Sequence, residues 1–209
     1  MPQHATSVPA ALTGLRVVVA DGDATACACL ADQLAAAGHV VVARASTGAE
    51  AVTRAMALGP DAVLLDVHMP EGSGLDAAAL IARMTPAPAV VLVTGDADAV
   101  LDDHELLATT AVAVLPKPTP RGLLDATLRC AVARSRELAA AHAATAAAHR
   151  QLEERKLIER AKGILMRRTG TTEQEAYRIL QRSSQDKATP MVVLAQAVLA
   201  SEPGASSRA

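Results

Sequence analysis

The sequence predicts an α/β protein: a doubly wound five-stranded parallel sheet, then a long helix of coiled-coil character and a small all-α module of three helices. Three observations predict this architecture. Five short apolar runs alternate with helical stretches over the first 120 residues. No strand signal follows Pro120. Residues 121–168 hold no proline and, after Gly122 at their start, one glycine, Gly163.

Each element follows from its residues. Positions 15–20 (LRVVVA) form a β-branched run, as a strand buried on both faces requires. A helix over 24–37 stops at Gly38, and 40–43 is the second strand. The helix over 48–58 ends at Gly59-Pro60, and 62–65 is the third strand. A loop with Pro70, Gly72 and Gly74 leads to a helix over 76–84, broken by Pro86 and Pro88. Strand four is 89–93, a helix covers 97–108, and strand five is 111–115, closed by Pro116-Lys117-Pro118. Right-handed crossovers set all strand C-termini at one edge, where ligands of such sheets bind. The expected boundaries are a disordered segment at 1–13, the sheet domain at 14–120, a connecting coiled-coil helix at 121–154, the three-helix module at 155–201 and a disordered tail at 202–209.

The long helix is rich in alanine, the best helix former. Its expected seam is Leu128, Val132, Ser135, Leu138, His142, Thr145, His149 and Leu152, pairing two copies. Thr172-Glu173-Gln174-Glu175 is a capping box, and Thr189-Pro190 places an N-cap before a helix over 191–200.

Composition excludes several classes. The 209 residues include 48 Ala, no Phe, no Trp and one Tyr, so base-stacking RNA modules lack their rings. A net charge of −2 excludes a globally basic nucleic-acid coat. No apolar run reaches membrane-span length, and the first ten residues do not make a signal peptide, so a cytoplasmic protein is expected. Cys27, Cys29 and Cys130 read as free thiols. Charge is uneven: residues 1–149 carry −6 and residues 150–187 carry +4. An acidic unit joined to one that meets a polyanion fits this pattern.

Past the strands stand Asp21 and Asp23, then Asp66, Thr94 and Lys117, all at the same predicted edge. Crowded carboxylates call for a hard cation such as Mg²⁺. A hydroxyl and an ammonium facing one carboxylate are what a phosphoryl group on it would need.

VVVADGD, LLDVHMPEGSGLDA, VVLVTGD and LPKP, in that order and spacing, resemble the receiver domain of two-component response regulators, a flavodoxin-like fold. The resemblance implies that Asp66 accepts a phosphoryl group from a histidine kinase. It implies Mg²⁺ held by Asp66, Asp21, Asp23 and the backbone carbonyl of His68, with Thr94 and Lys117 binding phosphoryl oxygens. Receivers usually carry a second adjacent acid where this chain has Gly22, and an aromatic switch residue where it has Val114. Weaker phosphorylation or looser coupling is therefore expected. DGDAT also matches the signature of haloacid-dehalogenase-type phosphatases, with Asp21 as nucleophile and Asp23 as acid/base, but no final acidic motif follows the lysine.

In residues 155–168, Leu157, Ile158, Ala161, Ile164 and Leu165 share one helix face, flanked by basic ridges with Gly163 between them. Ala161-Lys162-Gly163-Ile164-Leu165-Met166, Glu175-Ala176-Tyr177 and the Ala195/Val198 end resemble the ANTAR domain, the RNA-binding output of antitermination regulators. The resemblance implies a dimer that binds paired RNA stem-loops in leader transcripts. It points to Arg160, Lys162, Gly163, Arg167 and Arg168 at the RNA face. Tyr177 is read as a core or seam residue ahead of a base-stacking one. The expectation is a phosphoacceptor signalling protein rather than an enzyme, with a phosphorylation-dependent homodimer and no membrane partner. A receiver controlled by protein contact instead of phosphate is the alternative. A DNA-binding output is a lesser one, for want of a helix-turn-helix pattern.

Overall fold

The computed structural model describes residues 14–95, 109 and 111–202. The helix expected over 97–108, residues 1–13 and the tail beyond Glu202 lie outside the described residues. The chain divides into two compact units, up to Ala140 and from Ala141.

In the first unit, β1 (Arg16–Ala20), β2 (Val40–Ala45), β3 (Ala62–Asp66), β6 (Ala89–Thr94) and β7 (Ala113–Pro116) form one parallel sheet in the order β2-β1-β3-β6-β7. A two-residue hairpin, β4 (His68–Met69) and β5 (Gly72–Ser73), lies in what the sequence read as plain loop. Glu71 turns that hairpin with a φ of 59°, a conformation usually left to glycine. Helices α1 (Ala24–Ala36), α2 (Gly48–Leu58) and α3 (Gly74–Ile81) connect the strands.

Side-chain alternation along each strand builds two cores. Val17, Val19, Leu64, Val91 and Val93 meet Leu30 and Leu34 of α1 on one face. Val18, Val63, Leu65, Val90 and Leu92 meet Ala51, Ala55, Ala78 and Ile81 on the other. Short aliphatic side chains let helices pack close without any aromatic ring.

The long helix α4 (Arg121–Thr169) runs 49 residues. Its first turns belong to the sheet domain: Leu124, Leu128, Ala131 and Val132 are buried in the first core. Leu128 and Val132 therefore face the sheet and not a partner helix, and Ser135 donates to the carbonyl of Ala87. The helical 3–4 spacing is the same for either target, so sequence pattern could not separate them. Arg136 pairs with Asp61 at 2.8 Å, and buried His39 meets Asp125 at 3.0 Å. Leu138 and Leu152 are exposed.

In the second unit, the end of α4 packs with α5 (Glu173–Asp186) and α6 (Met191–Ala200) around buried Ala161, Leu180 and Ala195. Gly170, at φ 68°, ends α4 in the left-handed conformation and donates to Met166 O. The Thr172/Glu175 capping box opens α5. The cap expected from Thr189 is absent: Pro190 precedes α6 without a side-chain bond, and the Thr189 hydroxyl turns back to Lys187 O. Ser184 instead ties this turn down by donating to Thr189 O at 2.6 Å.

Candidate phosphoacceptor pocket and basic helical module

The sheet's C-terminal edge gathers the predicted pocket. Asp21 follows β1 and is 2% exposed, while Asp66 ends β3 at 7%. The Lys117 ammonium lies 2.6 Å from Asp21 Oδ2 and 3.1 Å from Asp66 Oδ2. Burial pulls the Lys117 pKa down, but hydrogen bonds and charge from Asp21 and Asp66 outweigh it and leave the ammonium above its ordinary range. The backbone N–H of Lys117 donates to Thr94 O at 2.7 Å, which fixes the lysine loop on buried Thr94. His68 opens the hairpin opposite Ser73.

Gly74 sets the close approach of α3 to the phosphoacceptor strand. A Cβ at this position would overlap the backbone carbonyl of Asp66. Asp23 has a different task from the one expected of a ligand. Its Oδ1 caps α1, accepting from Thr25 N at 2.7 Å and Ala26 N at 3.4 Å. Those backbone bonds, Thr25 first, hold its carboxyl below the ordinary range.

The donor set fits a cation in part. Two carboxylates face one ammonium, which leaves the pocket one charge short of balance. Asp21 Oδ2 is buried with no well-aligned hydrogen bond, its ion-pair contact to Lys117 aside. Among the described residues no three His, Cys, Asp or Glu side chains cluster as a ready metal cage.

The basic module buries one of its predicted residues and leaves the three arginines exposed. Lys162 is buried, its side chain only 8% exposed. Its three donors go to Glu159 Oε1 at 3.0 Å, Glu159 Oε2 at 2.8 Å and Glu173 Oε1 at 2.7 Å. The Tyr177 ring centroid is 5.9 Å away. Bonds to Glu159, then Glu173, raise the Lys162 pKa, and the Lys162 bond lowers that of Glu173. Arg167 pairs with Glu202 at 2.6 Å, and Arg168 donates to the Ser201 hydroxyl at 2.9 Å. Arg160 is exposed. Among the described residues a Cβ on Gly163 would meet only the Arg167 guanidinium, at 3.8 Å, so none of their backbone outside the helix itself explains that glycine. Tyr177, 42% exposed, is not a core residue of the module.

Comparison with known proteins agrees with both halves. A model of the response regulator receiver domain matches residues 17–129, and one of the ANTAR domain matches residues 146–199. This chain belongs to the receiver–ANTAR response regulators. The transcriptional regulatory protein PdtaR of Mycobacterium tuberculosis H37Rv is 38% identical over 188 residues, covering 88% of this chain and 89% of PdtaR. A protein-glutamate methylesterase/protein-glutamine glutaminase of Archaeoglobus fulgidus is 38% identical over 104 residues, but the match covers only 30% of that enzyme. Among solved structures, the receiver domain of NarL from Mycobacterium tuberculosis superposes with a TM-score of 0.51 at 27% identity, over 57% of this chain and 97% of that one. The response regulator domain of Thermotoga maritima CheB gives 0.51 at 29% identity, over 56% and 96%. These matches favour a signalling regulator over the dehalogenase-type reading, which also leaves Asp66 without a role.

As a receiver–ANTAR response regulator, the chain departs from the usual acid pair at Gly22. The structure adds a steric reason: a Cβ there would overlap the Pro70 ring. The sequence held both residues, but their contact depends on the tertiary fold. The partners of Lys162 had one legible signal, Glu159 at i−3; Glu173 is brought in by the turn at Gly170. Val114 lies half-exposed on β7, and no ring is present to swing there.

Proposed function

We propose that this response regulator is phosphorylated on Asp66 by a partner histidine kinase and acts in the cytoplasm as an RNA-binding antiterminator on leader stem-loops, not as an enzyme. The observation that carries the reading is Lys117 bridging buried Asp21 and Asp66. In the transfer, the N–P bond to the kinase histidine breaks as an O–P bond to Asp66 forms. Lys117 then neutralises the added charge and Thr94 donates to a phosphoryl oxygen. Receiver domains bind Mg²⁺, which would be held here by Asp21, Asp66 and the His68 carbonyl and would offset phosphoryl charge; Asp23 would have to leave its cap to join them.

Phosphorylation shifts a monomer–dimer or closed–open equilibrium, and the exposed part of α4, from Leu138 through His142, Thr145 and His149 to Leu152, pairs two copies. Paired modules gain avidity for two stem-loops. Of the basic residues read from sequence, Arg160, Arg167 and Arg168 are exposed toward solvent. Arg167 and Arg168 also hold Glu202 and Ser201, and Lys162, beside Gly163, is buried against Glu159 and Glu173.

The test is incubation with a small phosphodonor and Mg²⁺, read by intact mass and by binding to an RNA carrying two stem-loops. One phosphoryl group on the wild type, none on Asp66→Asn, and tighter RNA binding after phosphorylation are expected. RNA binding equal to that of an unstructured polyanion in both states would discard the reading. Gly22 against Pro70 and the capping role of Asp23 favour a second reading, control by protein contact. Under it Asp66 stays unmodified at any Mg²⁺ concentration while stem-loop binding persists.

A further inference from the structure

The outward face of α5 has a composition that a solvated helix does not need. Ala176 and Leu180 are buried and Ser183 and Ser184 half-buried, so they define the inward side. On the opposite side, at 100° per residue, Gln174, Arg178, Gln181, Arg182 and Gln185 fall within an arc of about 100°. All five are exposed. The stripe holds no carboxylate and no apolar side chain, whereas ordinary exposed helix faces interleave both charge signs.

Of the nearby acids Glu175 and Asp186 lie beside it and Glu173 on the inward side, and two of them are committed elsewhere. Glu173 binds Lys162, and Glu175 accepts from the Thr172 N–H at 2.9 Å and hydroxyl at 2.8 Å. Asp186 stands at the far end. Among the described residues neither Arg178 nor Arg182 enters a salt bridge. A weak electrostatic pull between Arg178 and Glu175 aside, their charge is available to a polyanion, in contrast to that of Lys162. Guanidinium forks match phosphate oxygens, and a Gln amide both donates and accepts at base edges.

The stripe is also held in place from both ends. Lys162 and the capping box fix the start of α5, and the Ser184–Thr189 bond fixes its end. A contact surface fixed before binding spends less of its affinity on ordering.

We propose that this Gln/Arg face of α5 is an RNA-contact surface, with Arg178 and Arg182 on the phosphodiester backbone and Gln181 and Gln185 on exposed base edges, and that Lys162 is a positioning residue rather than a backbone ligand. The proposal rests on the RNA-binding reading above and assigns its contacts to a helix that reading did not use.

The experiment measures full-length protein binding to a synthetic RNA with two stem-loops, and to poly(U), across a KCl series. Arg178→Ala/Arg182→Ala weakens binding at least tenfold, with a log–log salt slope shallower by about two. Arg83→Ala/Arg134→Ala removes the same net charge from the receiver and leaves binding within about twofold. Gln181→Ala/Gln185→Ala shrinks the preference for the stem-loop RNA over poly(U) and keeps the slope. Lys162→Met lowers the melting temperature without changing the slope, and Lys162→Arg restores the melt.

An unchanged slope in Arg178→Ala/Arg182→Ala overturns the assignment while leaving RNA binding intact. A slope reduced by about one in a normally melting Lys162→Met returns that lysine to the backbone-contact set. If the wild type itself does not prefer the stem-loop RNA, the antiterminator reading falls, and the slopes on poly(U) still decide whether this face grips phosphates.

Discussion

The two compact units solve folding in opposite ways. The receiver buries aliphatic side chains on both faces of a five-stranded sheet, with Val17, Val63, Leu64 and Leu92 among many that lose all contact with water. Among the described residues the ANTAR module buries only a short set of apolar side chains, Ala161, Ile164, Ala176, Leu180 and Ala195, three of them alanine. Its joints are polar instead: the Lys162 cluster between α4 and α5, the capping box, and the Ser184 hydroxyl in the α5–α6 turn. A hydrophobic core scales with buried area and is insensitive to salt, whereas exposed ion pairs are weak and screened. The receiver is thus built as a rigid frame around one reactive carboxylate, and the module as a small core whose helices are joined by polar contacts, the buried Lys162 ammonium among them.

The largest effect that breaks the comparison belongs to the rigid unit. Gly74→Ala drives a methyl group into the Asp66 carbonyl, and backbone on both sides cannot yield. We expect a loss above about 3 kcal/mol, seen as disappearance of the receiver transition on melting. A fully cooperative receiver melt in that variant would mean that α3 can move away from β3. In the module, Leu180→Ala empties the centre of the core at a cost of about 2–5 kcal/mol. Far-UV dichroism is expected to lose the helices of the second unit while the receiver melt persists. Loss of both transitions together would show that the units fold as one.

Most of the receiver was legible from sequence because buried parallel strands read as nearly continuous aliphatic runs, and 15–20, 62–65 and 89–93 do. The pocket was legible for the same reason, since strand ends place Asp21, Asp66, Thr94 and Lys117 on one edge. What sequence hid was every feature set by contacts distant along the chain. A 3–4 stripe does not say which partner it meets, so Leu128 and Val132 were assigned to a helix pair instead of the sheet. A lysine beside a glycine on an amphipathic helix reads as solvent-facing, yet Glu173, eleven residues on, encloses Lys162. Asp23 is a case of local ambiguity instead: an aspartate after a strand suits a metal ligand, and the same position is the favoured helix cap that it fills here.

A smaller effect separates the units by pH. Glu173 is held below the ordinary glutamate range by its bond to Lys162, and Glu175 by its bonds to Thr172. Both contribute stability that is present above ordinary glutamate values and lost as pH falls through their lowered ones. Lys162 is raised, so its contribution is complete below the ordinary lysine range and lost as pH rises through the raised value. The module is expected to hold its helicity across the neutral range and to loosen at both extremes. Glu173→Gln flattens the acid limb. An acid limb unchanged by Glu173→Gln would place the titrating group elsewhere.

The smallest predicted effect is also the sharpest form of the comparison, because one substitution can be made in both units. Thr47 caps α2 by accepting from Glu50 N at 3.2 Å, and Thr172 caps α5 by accepting from Glu175 N at 3.4 Å. Each cap satisfies one N–H that the helix cannot, and replacing threonine by alanine costs about 1 kcal/mol in either place. The local physics is the same, so Thr47→Ala and Thr172→Ala should lower unfolding free energies by similar amounts. Their consequences should differ. In the receiver the loss is a small part of a large aliphatic core and shifts the melt by a few degrees. In the module the same loss also frees Glu175 and slackens the end of α5 that Lys162 holds, so hydrogen exchange in α5 should rise well before α4 or α6 responds. Equal exchange protection of α2 and α5 after the two substitutions would mean that the module is far better stabilised than its small, alanine-rich core suggests.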